Sequence, residues 1–224
     1  MEVVDWNSIK ASQFRTFFKQ RSIDDTRTKS PEHAVENALL VEFRKRNGSK
    51  KILRNIQPVL LHGNFFQMPT PLKASTHIPT YAGQTGGGID MLARIKTPKG
   101  HTRLCIIEIK DENKTTESQK AAMSQAITYA TFVAKLLTEQ PDWMEFFMGH
   151  KTKLNRNSRC LDKFDIEVVT IMPEGNTETF QDKTLGIPET NFNIHCHSLF
   201  YNRQKFLDTR DFGFSGSFLN EIRK

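Results

Sequence analysis

The stretch Leu104-Cys105-Ile106-Ile107-Glu108-Ile109-Lys110 is apolar through Ile107 and then sets two charges, Glu108 and Lys110, either side of one more isoleucine. An unbroken apolar run of this length reads as a strand buried on both faces. Side chains alternate along an extended chain, so Glu108 and Lys110 point the same way. A carboxylate and an ammonium at the end of a buried strand are costly unless each has a partner, such as a metal ion or a phosphate.

Working outward, Gly88 to Ile95 is a second strand-like run, joined to Arg103–Lys110 by Thr97-Pro98-Lys99-Gly100, short enough for an antiparallel hairpin. Asp90 in that neighbour supplies a second carboxylate. Two carboxylates converging across a hairpin make a hard, oxygen-rich site suited to magnesium or manganese. With Lys110 beside the ion, the set fits phosphodiester hydrolysis: water on the metal attacks the phosphate, and the lysine orients that water and stabilises the transition state.

The flanking segments supply the frame. Ser30-Pro31-Glu32 has the order of a helix start, and Val35, Leu39 and Phe43 recur every four residues, giving a helix to about Arg46 that Asn47-Gly48-Ser49 ends. Ile56 to Leu61 can form a strand, and residues 62–88, with Pro69, Pro71 and Pro79, read as a long loop. Thr116-x-x-Gln119 matches a capping box opening a helix to about Leu137, with Ala122, Ala126, Ala130, Val133 and Leu137 on one face. Residues 141–160 read as an inserted helix and loop, and Ile166–Met172 and Asn193–Tyr201 as strands. The expected fold is α/β, more narrowly an α+β mixed sheet with helices on it. One domain is expected over 1–224, with a core at about 30–172, an N-terminal helical extension at 1–29 and a C-terminal strand and tail at 173–224.

Composition agrees with an anionic partner. Thirty-two Lys and Arg against 25 Asp and Glu give a net charge of +7 and a pI near 9.3. Arg44, Lys45, Arg46, Lys50, Lys51 and Arg54 cluster without an acid, as do Lys151, Lys153, Arg156 and Arg159, and either group can track a phosphate backbone. The cysteines, Cys105, Cys160 and Cys196, are odd in number and far apart, which argues against a disulfide framework or structural zinc. No basic, then apolar, leader and no membrane-length apolar run is present, so the expectation is a cytoplasmic protein without a membrane partner.

Asp90 followed by Glu108-x-Lys110 resembles the Asp…(Asp/Glu)-x-Lys core of the PD-(D/E)XK nuclease superfamily. Ile89 stands where the superfamily's name has proline. The resemblance implies a restriction-endonuclease-like αβββαβ core, matching the element order above, and a magnesium-dependent nuclease acting on DNA and leaving a 5′-phosphate. It implies a metal held by Asp90, Glu108 and the Ile109 carbonyl, with Glu36 of the first helix assisting and Glu32 one turn earlier as the fallback. Gln125-x-x-x-Tyr129 is similar to the Gln-x-x-x-Tyr motif of the RecB-like exonuclease branch, which implies that both residues organise the site and contact substrate. A homodimer is compatible with it. Two other readings remain open: a non-catalytic nucleic-acid- or protein-binding module retaining this fold, and a transition-metal hydrolase centred on His195 and His197, which otherwise read as ordinary strand residues.

Overall fold

The computed structural model describes residues 31–44, 53, 55–61, 64–65, 67–70, 72–74, 80–81, 87–96, 102–111, 117–139, 147, 164–175 and 180–223. The expected N-terminal helix, the stop at Asn47-Gly48-Ser49, the Thr97–Gly100 connection and all of the 141–160 insertion except Phe147 lie outside these residues.

The architecture is a mixed six-stranded sheet with helices against it. The elements used below are α1 (Pro31–Arg44), β1 (Ile56–Pro58), β2 (Met91–Lys96), β3 (Thr102–Ile109), α2 (Gln119–Glu139), β4 (Phe164–Pro173), β5 (Lys183–Gly186), β6 (Phe192–Tyr201), α3 (Arg203–Thr209) and α4 (Phe218–Arg223). Strand order is β1-β2-β3-β4-β6-β5. The pairs β1–β2, β2–β3 and β6–β5 are antiparallel, whereas β3–β4 and β4–β6 are parallel. Parallel neighbours need a crossover, and α2 supplies it between β3 and β4.

β3 lies inside the sheet and is buried at every position from Leu104 to Ile109, as its unbroken apolar run requires. Its even-numbered side chains, Leu104 and Ile106, pack with Ile166, Val168 and Ile194 under the Ala122–Ala126–Ala130 stripe of α2. Small residues there let the helix approach the sheet closely. The odd-numbered side chains, Cys105, Ile107 and Ile109, form a second layer with Val35, Leu39 and Phe43 of α1 and with Phe206, Phe212 and Phe218 beyond β6.

Several boundaries differ from expectation. The Gly88–Ile95 run is broken at Asp90 into a two-residue strand, Gly88–Ile89, and β2, because the Asp90 side chain takes the Ile109 N–H at 2.8 Å. The cap of α2 is Ser118, whose hydroxyl accepts from Ala121 N at 3.2 Å. Gln119, expected to close a capping box on Thr116, turns instead to the sheet and donates to Ser198. The edge strand β5 and the helices α3 and α4 carry no periodicity long enough to announce them. Cys105 and Cys196 are buried free thiols. Among the described residues, no helix is long and apolar enough to cross a membrane.

The face of the sheet opposite α2 carries a second feature, a charged row at the N-terminal ends of β3 and β4. Arg103 bridges Asp165 at 2.8 Å and Glu167 at 2.6 Å. His195 Nε2 lies 3.0 Å from Asp165, and His197 is held between Glu167 at 3.0 Å and Asp182 at 3.2 Å. The alternating histidines that lack a carboxylate beside them in sequence thus receive one from β4. Both ring nitrogens of His197 face acceptor-only carboxylates, an arrangement that suits the imidazolium. Burial lowers the His197 pKa, but the Glu167 and Asp182 carboxylates outweigh it and raise the value above 6.5. Burial likewise raises Glu167, yet the bonds from His197 and Arg103 prevail and hold it below 4.5.

The stability that His197 contributes is therefore complete below about pH 6.5 and is lost as pH rises through its elevated folded value; that of Glu167 is present above about pH 4.5 and is lost on acidification. Urea denaturation from pH 5 to pH 9 should show wild type losing stability on the alkaline side, with His197→Gln weaker at pH 6 and flatter above it. Parallel curves for the two proteins would refute this account of the row.

Candidate active site

Asp90, Glu108 and Lys110 meet at the C-terminal end of β3, on the α2 face. Met91 pairs with Ile107 across the antiparallel β2–β3 ladder, which sets Asp90 at the level of Glu108. The ladder ends there because the Ile109 N–H donates to Asp90 Oδ2, so the carboxylate is fixed by backbone. Lys110 Nζ donates to Glu108 Oε1 at 2.7 Å and lies 3.7 Å from Glu117, which precedes α2. Glu108 is wholly buried and Lys110 nearly so. Lys110 is also tied into the sheet, its N–H donating to Ile171 O at 3.0 Å.

α1 brings two further carboxylates. Glu36 follows the buried Val35, and Glu32 lies one turn before it, so both project from the same side of the helix. Glu32, Glu36 and Asp90 each offer an oxygen within 4.8 Å of the others, and among the described residues this is the one set of three donors spaced to share an ion. Gln67 donates to Glu36 at 3.3 Å. Glu32, the fallback on the first helix, therefore joins Glu36 and does not replace it. His195 and His197 form no such set, being engaged with separate carboxylates.

Electrostatics follow from packing five acids, Glu32, Glu36, Asp90, Glu108 and Glu117, around one lysine. Burial first, then the Asp90 and Glu32 charges, push Glu36 up to about 8. Burial raises Asp90 to about 7, with Lys110 opposing the rise and Glu32 adding to it. Burial and the Asp90 charge hold Glu108 well above the carboxylate range. Lys110 moves the other way: burial would lower it, but Glu108 and Asp90 keep it firmly protonated. An added cation would relieve this mutual repulsion, and Glu108 Oε2 has no hydrogen-bond partner among the described residues.

Comparison with protein-family models, with curated proteins and with solved structures finds no match. The site is consequently read from its own geometry.

Gln125 and Tyr129 lie below the carboxylates, both buried on the face of α2 that meets the sheet. Burial first and then the nearby Glu108 charge raise the Tyr129 hydroxyl above its ordinary pKa, while the Gln125 amide hydrogen-bonds it. Gln125 Oε1 is left without a partner among the described residues. The Tyr129 hydroxyl occupies the place that a Cβ on residue 87 would take. Gly87 is in turn pinned, its N–H donating to Leu72 O at 2.7 Å and its carbonyl accepting from Thr70 N at 2.8 Å. Gly87 thus serves a close approach: it admits the Tyr129 hydroxyl while its backbone bonds Thr70 and Leu72. Sequence reading missed Glu117, whose only signal is an acid in the short segment between β3 and α2.

Gly87→Ala should cost about 1–3 kcal/mol through overpacking against Tyr129. The penalty should shrink in a Tyr129→Phe background, where the obstructing hydroxyl is gone; urea denaturation of the four proteins measures the coupling. Additive effects would mean that Gly87 and Tyr129 do not constrain each other.

Proposed function

We propose that this chain is a divalent-metal-dependent nuclease that hydrolyses phosphodiester bonds of DNA. The observation that carries the reading is the convergence of Glu32, Glu36 and Asp90 within 4.8 Å of one another, next to the buried Glu108–Lys110 pair. The order α1-β1-β2-β3-α2-β4, with β3 and β4 parallel neighbours, supports the αβββαβ core that the sequence resemblance implies. The donor set fits the group: hard carboxylate oxygens with raised pKa values suit magnesium or manganese, and the net charge of +7 suits a polyanionic substrate.

Glu32, Glu36 and Asp90 would hold the cation, and the sequence resemblance adds Glu108, which lies outside that set of three, and the Ile109 carbonyl. When bound, the cation supplies Lewis acidity toward water and the scissile phosphate. Lys110, protonated at Nζ, orients the attacking water and donates to the phosphate oxygens as charge builds on them. Asp90 stays aimed into the site because the Ile109 N–H holds one of its oxygens. Gln125 and Tyr129, buried on the sheet-facing side of α2, organise the floor of the site. The competing reading is a non-catalytic binding module of the same fold, favoured by the engagement of the Lys110 ammonium with both Glu108 and Glu117.

Purified protein should cut single- or double-stranded DNA with magnesium or manganese and not with EDTA. Lys110→Ala should lose about 10²–10³ in rate and Asp90→Ala should lose activity altogether. Equal cleavage by all three proteins would sink the proposal, and DNA binding without metal-dependent cutting would favour the binding module.

Metal affinity has its own signature. Protons on Asp90, at about 7, and Glu36, at about 8, must leave before a cation can bind, so affinity is weak below those values and grows as pH rises through them. Calorimetric titration with magnesium should show affinity rising about tenfold or more from about pH 6 to about pH 8.5. A flat profile would exclude these two carboxylates as ligands.

A further inference from the structure

A polar row crosses the centre of the sheet on the α2 face. In the β3–β4 register Glu108 pairs with Thr170, and in the β4–β6 register Thr170 pairs with Ser198. Paired residues of parallel strands present their side chains on one face, so the three stand side by side beneath α2. All are buried: Glu108 is 0% exposed, Thr170 1% and Ser198 4%. The Ser198 end is anchored, since Gln119 Nε2 donates to Ser198 Oγ and Gln119 Oε1 accepts from Phe180 N at 2.7 Å. At the other end Lys110 holds Oε1 of Glu108. Thr170 Oγ1 and Glu108 Oε2 are both buried without a hydrogen-bond partner among the described residues, although their residues are register neighbours.

The donor inventory gives the row a direction. An amide N–H of Gln119 feeds Ser198, whose own hydroxyl proton is then available to its neighbour, and Thr170 likewise keeps one proton to donate. The Glu108 carboxyl, which burial holds well above the carboxylate range and which hydrogen-bonds the Asp90 side chain, still accepts at its oxygens and so can terminate such a row. Lys110 occupies Oε1 of Glu108, which leaves Oε2 to receive the proton from Thr170. We propose that Thr170 is a positioning residue: its hydroxyl, directly or through one bridging water, donates to Glu108 Oε2 and fixes the orientation of that carboxylate beside Lys110. Each carboxylate oxygen has two lone pairs, so this contact leaves Oε2 able to face a cation. The catalytic consequence rests on the nuclease reading; the contact itself does not.

Two measurements separate these levels. A high-resolution crystal structure of the wild-type chain should show Thr170 Oγ1 bonded to Glu108 Oε2, directly or through one water. A Thr170 hydroxyl bonded elsewhere overturns the assignment, whatever the activity of the protein. Thr170→Val and Thr170→Ser are then compared in manganese titration and DNA cleavage. The valine variant, isosteric but without the hydroxyl, should weaken manganese binding about tenfold and lower kcat by a similar factor with KM for DNA unchanged. The serine variant, which keeps the hydroxyl and removes a methyl group, should restore most of both. Wild-type manganese affinity in Thr170→Val, or a serine variant as impaired as the valine one, overturns the proposal. A wild-type chain that neither binds manganese nor cuts DNA overturns the nuclease reading, and the crystallographic contact still decides the role of Thr170.

Discussion

A lysine and a glutamate buried together at the end of an interior strand set the terms for everything around them. Removing either charge from water costs several kcal/mol, and their mutual attraction offsets this only with good geometry and further partners. The 2.7 Å contact of Lys110 Nζ with Glu108 Oε1 meets the first condition. Glu117, Asp90, Glu36 and Glu32 meet and then overshoot the second, since they bring more negative charge than one ammonium neutralises. A buried excess of carboxylates is a poor way to stabilise a fold and a good way to hold a cation. The break at Asp90 belongs to this arrangement, since the same carboxylate that takes the Ile109 N–H faces the site.

The polar features of the sheet separate by face and by end. At the N-terminal ends of β3 and β4, on the face opposite α2, Arg103, Asp165, Glu167, Asp182, His195 and His197 largely satisfy one another. At the C-terminal end of β3, on the α2 face, buried oxygens of Glu108, Thr170 and Gln125 have no partner among the described residues. The first group joins strands through ion pairs, with His195 Nε2 lying 3.0 Å from Asp165 but making no hydrogen bond among the described residues. The second gathers carboxylates around Lys110, and the proposed function is drawn from it.

How much could be read from sequence follows the range of the forces involved. The apolar run of Leu104–Ile107 ending in Glu108-x-Lys110, the Val35–Leu39–Phe43 stripe and the alanine face of α2 were legible because burial imprints a period on consecutive residues. The meeting of Asp90 with Glu108 was legible because a short connection fixes the hairpin. The pairing of Glu108 with Thr170 was not, because parallel register depends on how α2 returns the chain and leaves no local mark. Glu117 and Ser118 were overlooked for a different reason: single polar residues in a strand-to-helix connection look alike whether they cap, pair or face solvent. The Thr116–Gln119 motif misled because Gln119 has a stronger claim on it, the buried Ser198 hydroxyl.

The long path from Glu108 to Thr170 has a kinetic meaning as well. The β2–β3 hairpin closes between near neighbours in sequence, whereas the β3–β4 ladder must close a loop that includes all of α2, at a larger entropic cost. Asp90 and Glu108 can therefore come together early, in a chain still open on one side. The enclosure of Glu108 by β4 comes only with the non-local step, so burial of Glu108 marks closure of the β3–β4 ladder and not merely the meeting of its acids.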